Sequence, residues 1–168
     1  MSRTSPTLQC HILDTGYCLA WEHHILQGGR HRRVACHSLA ALLCHPEQGW
    51  LLWDTGYAPR MLEATRRGLH ALSRAFIPDL LPGDFSARAR FLTSFEGPSL
   101  PALGPTNDLF GDGSLLLLRL PGHACGQLGL LAHTERGRIL FAADGCWQRR
   151  SIRECRPPSL SLNAPVHR

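Results

Sequence analysis

The chain has 168 residues, a length that suits a single domain with its own hydrophobic core. All 18 basic residues are arginine, the net charge is +5, and the arginines are scattered along the chain. Proteins that bind nucleic acid usually concentrate positive charge on one face, so this composition argues against such a role. No apolar run could cross a bilayer, and the first residues lack the apolar stretch of a secretory signal. We therefore expect a cytoplasmic protein without membrane contact.

The first third of the chain predicts antiparallel strands. Residues 8–21 favour a strand, a turn at 14–16 and a second short strand. The apolar segment 34–44 predicts a buried strand. A hairpin turn at 45–49 then leads into the return strand 50–53, which ends at an Asp-Thr-Gly sequence.

The remainder mixes predicted helices and strands. Apolar residues over 62–76 recur at three- and four-residue steps, which predicts an amphipathic helix. Asp84 is a candidate N-cap for a second helix, which we expect to run to Phe95. The proline- and glycine-rich segment 97–105 predicts neither helix nor sheet. The leucine run within 114–120 predicts a strand covered on both faces, and residues 127–143 predict a hairpin.

The chain's seven cysteines include no Cys-x-x-Cys pair. In a cytoplasmic protein we expect them to be reduced thiols that pack as small apolar groups.

One histidine and one aspartate stand out as candidate metal ligands. His123 lies in Leu-Pro-Gly-His-Ala-Cys-Gly, a loop with glycines on both sides, and Asp144 follows at the end of the next predicted hairpin. Such an arrangement can present an imidazole and a carboxylate to one metal ion, and both groups are common zinc ligands.

Three segments resemble the metallo-β-lactamase-fold hydrolases, and within them the lactonase-like subgroup that includes the N-acyl-homoserine lactonases. The first is the hairpin 42–56 with its Asp-Thr-Gly ending. The second runs from Asp108 through the Pro-Gly-His loop, and the third is Gly137 to Asp144 followed by Trp147. The resemblance implies an α+β fold, the αββα sandwich of that family.

The resemblance also implies a function and roles for three residues. It implies one or two zinc ions, with His123 as a ligand, Asp144 as the carboxylate that bridges two metals, and Asp54 as a supporting residue beside the site. The implied reaction is attack of a metal-bound hydroxide on the carbonyl of a small-molecule ester or lactone. No catalytic residue beyond the metal ligands is assigned.

The family's His-x-His-x-Asp-His signature is absent from the chain. Between Gly56 and His123 the sequence holds only one histidine, His70. We therefore expect an incomplete sandwich, with an internal deletion near Arg67 and a C-terminal truncation. The expected domain is a partial one over 1–158, with a loose tail at 159–168.

Because most of the family's ligands are missing, the alternative to a lactonase-like, metal-dependent hydrolase is a catalytically inactive, truncated or interaction-only relative. A chain without some of the sheet strands would expose apolar edges, which favours self-association. Cys146 follows Asp144 by two residues, and a substitute ligand set of His123, Asp144 and Cys146 stands beside the simpler reading of Cys146 as a packed thiol.

Overall fold

A computed structural model describes residues 4–55, 84–90, 92–123 and 126–159. The first of two antiparallel sheets has the strand order β1-β2-β3, formed by Gln9–Trp21, Arg33–His45 and Gly49–Trp53. The predicted strand at 34–44, the turn after it and the return strand are confirmed, but the expected burial is wrong for residues 34–39, none of which is buried. The predicted tight turn at 14–16 is wrong, because β1 continues through it.

A bulge in β1 takes the place of that turn. Asp14 lies opposite Leu39 and Tyr17 opposite His37, so three residue steps on β1 face two on β2. The extra residue is accommodated at Gly16, whose φ is 124° and whose N–H donates to the Asp14 carboxylate at 3.1 Å. A glycine with positive φ is a common way to absorb an additional residue without ending a strand.

The second sheet contains five strands in sequence order, β4 to β8. They comprise Ser99–Leu100, Gly104–Asp108, Leu115–Arg119, Leu128–Thr134 and Gly137–Phe141. The predicted leucine strand and the hairpin after it are confirmed, and the four leucines of β6 are all buried. The segment 97–105 was wrongly expected to avoid the sheet, because it contributes β4 and the start of β5.

The hydrophobic core lies between the two sheets. Leu8, Cys10 and Leu43 from the first sheet side pack against leucines of β6 and β7. A parallel bridge between Leu8 and Thr134 joins the sheets at this point. The backbone N–H of Leu8 donates to the carbonyl of His133 at 2.9 Å. Residues far apart in sequence therefore share one core.

The predicted αββα sandwich is wrong, because the described residues are mostly β and curl into a half-barrel of two antiparallel sheets. Their α-helices are single turns: α1 Glu22–Ile25, α2 Phe85–Arg88 and α3 Arg149–Arg153. A covering layer needs amphipathic helices of several turns, which these are not. The expected helix over 62–76 lies outside the described residues, and the one expected to reach Phe95 ends at Arg88. None of the described helices is long and apolar enough to span a membrane.

A buried carboxylate ties the C-terminal helix to the β1–β2 connection. Glu22 is 1% exposed and accepts hydrogen bonds from the guanidinium of Arg32 at 2.7 Å and from the backbone N–H of Arg30 at 2.8 Å. Arg150 of α3 approaches the same carboxylate at 3.3 Å. The hydrogen bonds from Arg32 and Arg30 lower the pKa of Glu22 from 4.5 to about 2. The residues that follow α3 are thereby held against α1, where Ser159 N–H donates to the carbonyl of His24.

Candidate functional site

A cleft of about 900 Å³ is lined by residues of β1 and β2, by the end of β3 and by the segments that follow β6 and β8. Its walls include the large apolar side chains of Trp53, Phe141 and Trp147. Polar groups reach it from both sheets, among them His24, His37, Asp54, His123 and Asp144. The three residues that the sequence singled out, at positions 54, 123 and 144, therefore face one space.

The order of the strands explains why the segments around His123 and Asp144 meet. β6 and β8 are both antiparallel to β7, so they run in the same direction and end at the same edge of the sheet. Neighbouring strands lie about 4.8 Å apart, which separates the two strand ends by about 10 Å. A hydrogen bond of 2.9 Å from Leu120 N–H to the carbonyl of Gln127 closes the loop that carries His123.

The side chains of His123 and Asp144 lie closer together than the ends of the two strands. His123 Nε2 lies 4.0 Å from Asp144 Oδ2, and the side chains are 43% and 57% exposed. Asp144 sits in a one-turn 3₁₀ helix, Ala143–Gly145, that follows β8 directly. At 4.0 Å the two groups are an ion pair only when the imidazole is protonated, and the distance exceeds that of a direct hydrogen bond.

Trp147 orients the carboxylate. Its Nε1–H donates to Asp144 Oδ1 at 2.8 Å, which leaves the second carboxylate oxygen, Oδ2, on the side of His123. The indole also contacts the imidazole edge-on, with ring centroids 5.6 Å apart. Sequence analysis did not predict a contact between Trp147 and Asp144. The spacing of three residues between Asp144 and Trp147 was the available signal, because side chains three positions apart can meet across one turn.

Asp54 directly follows β3 and also lines the cleft. Its backbone has φ 63°, the left-handed region that a residue with a side chain seldom adopts. Its Oδ1 accepts the N–H of Thr55 at 2.6 Å. A strained backbone of this kind is more frequent at functional sites than elsewhere, and here it terminates the strand at the cleft wall.

The donor atoms of the residues that the structure describes do not form a zinc centre. Zinc sites in proteins use three or four protein ligands, and ligand atoms in a tetrahedral site lie about 3.4 Å apart. His123 and Asp144 supply two donors at 4.0 Å, and no group of three or more His, Cys, Asp or Glu able to hold a metal occurs among the described residues. Cys146, whose thiol donates to the carbonyl of Gln148 at 3.0 Å, forms no such group with His123 and Asp144 in the described structure. His70 lies outside the described residues.

Two further histidines of the cleft were not singled out from the sequence. His37 Nδ1 lies 2.7 Å from Asp14 Oδ2. The backbone N–H of Gly16, followed by His37, lowers the pKa of the Asp14 carboxyl. His24 is in edge-on contact with His23, at 4.3 Å between ring centroids. These residues come from the β1–β2 region, where strand pairing across many residues, rather than a local motif, brings them to the cleft.

No family model, curated protein or solved structure matches this chain. The likeness to the metallo-β-lactamase-fold hydrolases therefore remains a prediction that rests on the segments around Asp54, His123 and Asp144.

Proposed function

We propose that the cleft binds a small-molecule ester or lactone, and that the chain is a relative of the lactonase-like hydrolases that has kept this binding surface without a complete metal site. One observation carries the proposal. Asp54, His123 and Asp144, taken from three separate segments on sequence grounds alone, line the same cleft, and two of them approach to 4.0 Å.

The size and chemistry of the cleft support such a ligand. Small-molecule pockets commonly measure about 300–1,000 Å³ and combine apolar walls with a few polar groups that fix orientation. The walls here offer two indoles and a phenyl ring, at Trp53, Trp147 and Phe141. These can pack against an acyl chain, while the imidazole of His123 donates to a carbonyl oxygen and the carboxylate of Asp144 accepts from an amide N–H.

The sequence supports binding over turnover. The His-x-His-x-Asp-His segment that supplies most ligands in the resembled family is missing from the chain, and no group of three or more possible metal ligands occurs among the described residues. A second candidate, metal-dependent hydrolysis, is favoured by the way Trp147 holds one carboxylate oxygen and leaves the other toward His123. The two candidates differ in product formation, so one experiment can separate them.

The test is a titration of the chain with N-octanoyl homoserine lactone, in which calorimetry and tryptophan fluorescence measure binding. We expect saturable binding that is about 5- to 10-fold weaker in His123→Ala and in Asp144→Asn, because each loses a hydrogen bond to the ligand worth about 1–1.4 kcal/mol. His11→Ala is the matched control. His11 is an exposed histidine of β1 outside the cleft lining, and its removal should leave the affinity unchanged.

Chromatography of the ligand after incubation with and without added zinc decides the second candidate. Ring-opened product that requires zinc and disappears in His123→Ala would replace the binding proposal with the hydrolase. Failure of the lactone to bind at millimolar concentration, or equal affinity in His123→Ala and His11→Ala, would refute the proposed function.

A further inference from the structure

Two cysteines lie directly opposite each other on β1 and β2, the longest of the described strands. Cys18 of β1 is the register partner of Cys36 of β2, and this is the fourth pair counted from the end of the ladder at Trp21 and Arg33. No other pair of opposed cysteines occurs in the described strands. Opposed side chains project to the same side of a sheet, so the two thiols are neighbours.

The spacing of an antiparallel pair suits a disulfide. Directly opposed residues have Cα atoms about 4.5–5.5 Å apart, and disulfides span Cα separations of about 4.4–6.8 Å. The thiols already interact in the reduced protein. Burial, followed by the negative charge of the Cys18 thiolate and by a hydrogen bond with Cys18, raises the pKa of the Cys36 thiol. No large backbone movement is needed to join the two sulfur atoms.

The pair is also accessible, in contrast with the chain's core thiol. Cys18 is exposed, Cys36 is half-buried, and both line the cleft described above. Cys10, on the same strand as Cys18, is only 8% exposed and packs in the core between the sheets. A small oxidant can therefore reach Cys18 directly from solvent.

We propose that Cys18 and Cys36 form a reversible redox pair that a hydroperoxide oxidises to a cross-strand disulfide. In the first step the Cys18 thiolate attacks the peroxide, an S–O bond forms, the O–O bond breaks, and the leaving oxygen takes up a proton. In the second step the Cys36 sulfur loses its proton and attacks the Cys18 sulfenic acid, so an S–S bond forms and water leaves. Two thiols and one hydrogen peroxide give one disulfide and two waters.

The location gives the pair a structural consequence that does not depend on what the cleft binds. Beyond the bulge at Asp14–Tyr17 both strands are largely exposed and pair only with each other in the described structure. A disulfide there would link the strands covalently where core packing does not hold them. It would also convert two thiols of the cleft wall into one bridge.

The experiment treats the full chain with hydrogen peroxide and digests it with trypsin after the remaining thiols are alkylated. Cleavage at arginine separates residues 4–30 from 34–60, so the bridge joins two peptides. In the oxidised wild type we expect a joined peptide whose mass is that of peptides 4–30 and 34–60 together, less two hydrogen atoms for the disulfide. We expect it to be lost after dithiothreitol, and in Cys18→Ser and Cys36→Ser. Cys44→Ser, a thiol of the same strand β2 that is opposed by Gln9, should retain it.

Fragmentation of the joined peptide from the wild type locates the bond without any variant, which keeps the test decisive if a substitution impairs folding. A bond that involves Cys10 or Cys44, or no joined peptide at millimolar peroxide, would overturn the proposal.

Discussion

Two histidine–aspartate pairs of this protein use the same side chains in opposite ways. His45 Nε2 lies 2.9 Å from Asp112 Oδ2, and the histidine side chain is 1% exposed. His123 Nε2 lies 4.0 Å from Asp144 Oδ2, and both side chains are about half exposed. The first, closed pair is within hydrogen-bond distance and its histidine is buried, whereas the second, open pair is wider and faces a cleft. Residue type therefore does not decide the role of a pair, but burial and the remaining hydrogen bonds do.

The hydrogen bonds of His45 leave no capacity for a ligand. Its Nδ1 accepts the backbone N–H groups of Glu47 and Gln48, at 3.0 and 3.1 Å. Nδ1 therefore carries no proton, and Nε2–H is the group that donates to Asp112. The imidazole closes the β2–β3 turn and joins it to the loop before β6. His123, by contrast, lies 4.0 Å from Asp144, is in T-shaped contact with Trp147 and is 43% exposed, so its imidazole is accessible to a ligand.

The largest expected effect comes from breaking the closed pair. His45→Ala should lower the free energy of unfolding by about 2–4 kcal/mol, because it leaves a cavity and removes the partner of two backbone N–H groups and one carboxylate. Urea unfolding followed by tryptophan fluorescence measures the change. A loss no larger than that of an exposed histidine would show that the pair is not structural.

The acid sensitivity of the closed pair gives a second, smaller effect. Burial raises the pKa of the Asp112 carboxyl, but hydrogen bonds from Ser114 and His45 outweigh it, and the pKa lies below its usual value of 3.8. The folded protein thus binds this proton more weakly than the unfolded chain. The stabilisation is complete above pH 3.8 and is lost as the pH falls through the lower folded pKa.

Asp112→Asn should remove this contribution. We expect the urea midpoints of the wild type and the variant to differ most near neutral pH and to converge as the pH falls below the usual carboxyl range. Glu22 and Glu154, whose pKa values are lowered to about 2, keep their own acid dependence in both proteins. If the urea midpoints of the wild type and Asp112→Asn differed by the same amount from neutral to acid pH, the ionised Asp112 carboxylate would not be the source of the stabilisation.

The same contrast explains what could be predicted from the sequence. The leucine strand and its hairpin follow from local patterns, and consecutive antiparallel strands place the segments around His123 and Asp144 at one edge. The closed pair joins residues that are 67 positions apart, and no local signal marks it. The sandwich prediction failed for a related reason, since it depended on helical layers that short local patterns do not establish.

The smallest expected effect is on the stability of the open pair. His123→Ala should leave the urea midpoint unchanged, because its side chain is 43% exposed and lies 4.0 Å from its partner. His37→Ala is the matched comparison, since His37 is 51% exposed and also faces an aspartate, at 2.7 Å. A histidine whose removal costs stability is part of the fold, whereas one whose removal changes only ligand affinity is part of a site. If His123→Ala destabilises the protein as much as His45→Ala does, the open pair is structural and the cleft has lost its best candidate for contact with a ligand.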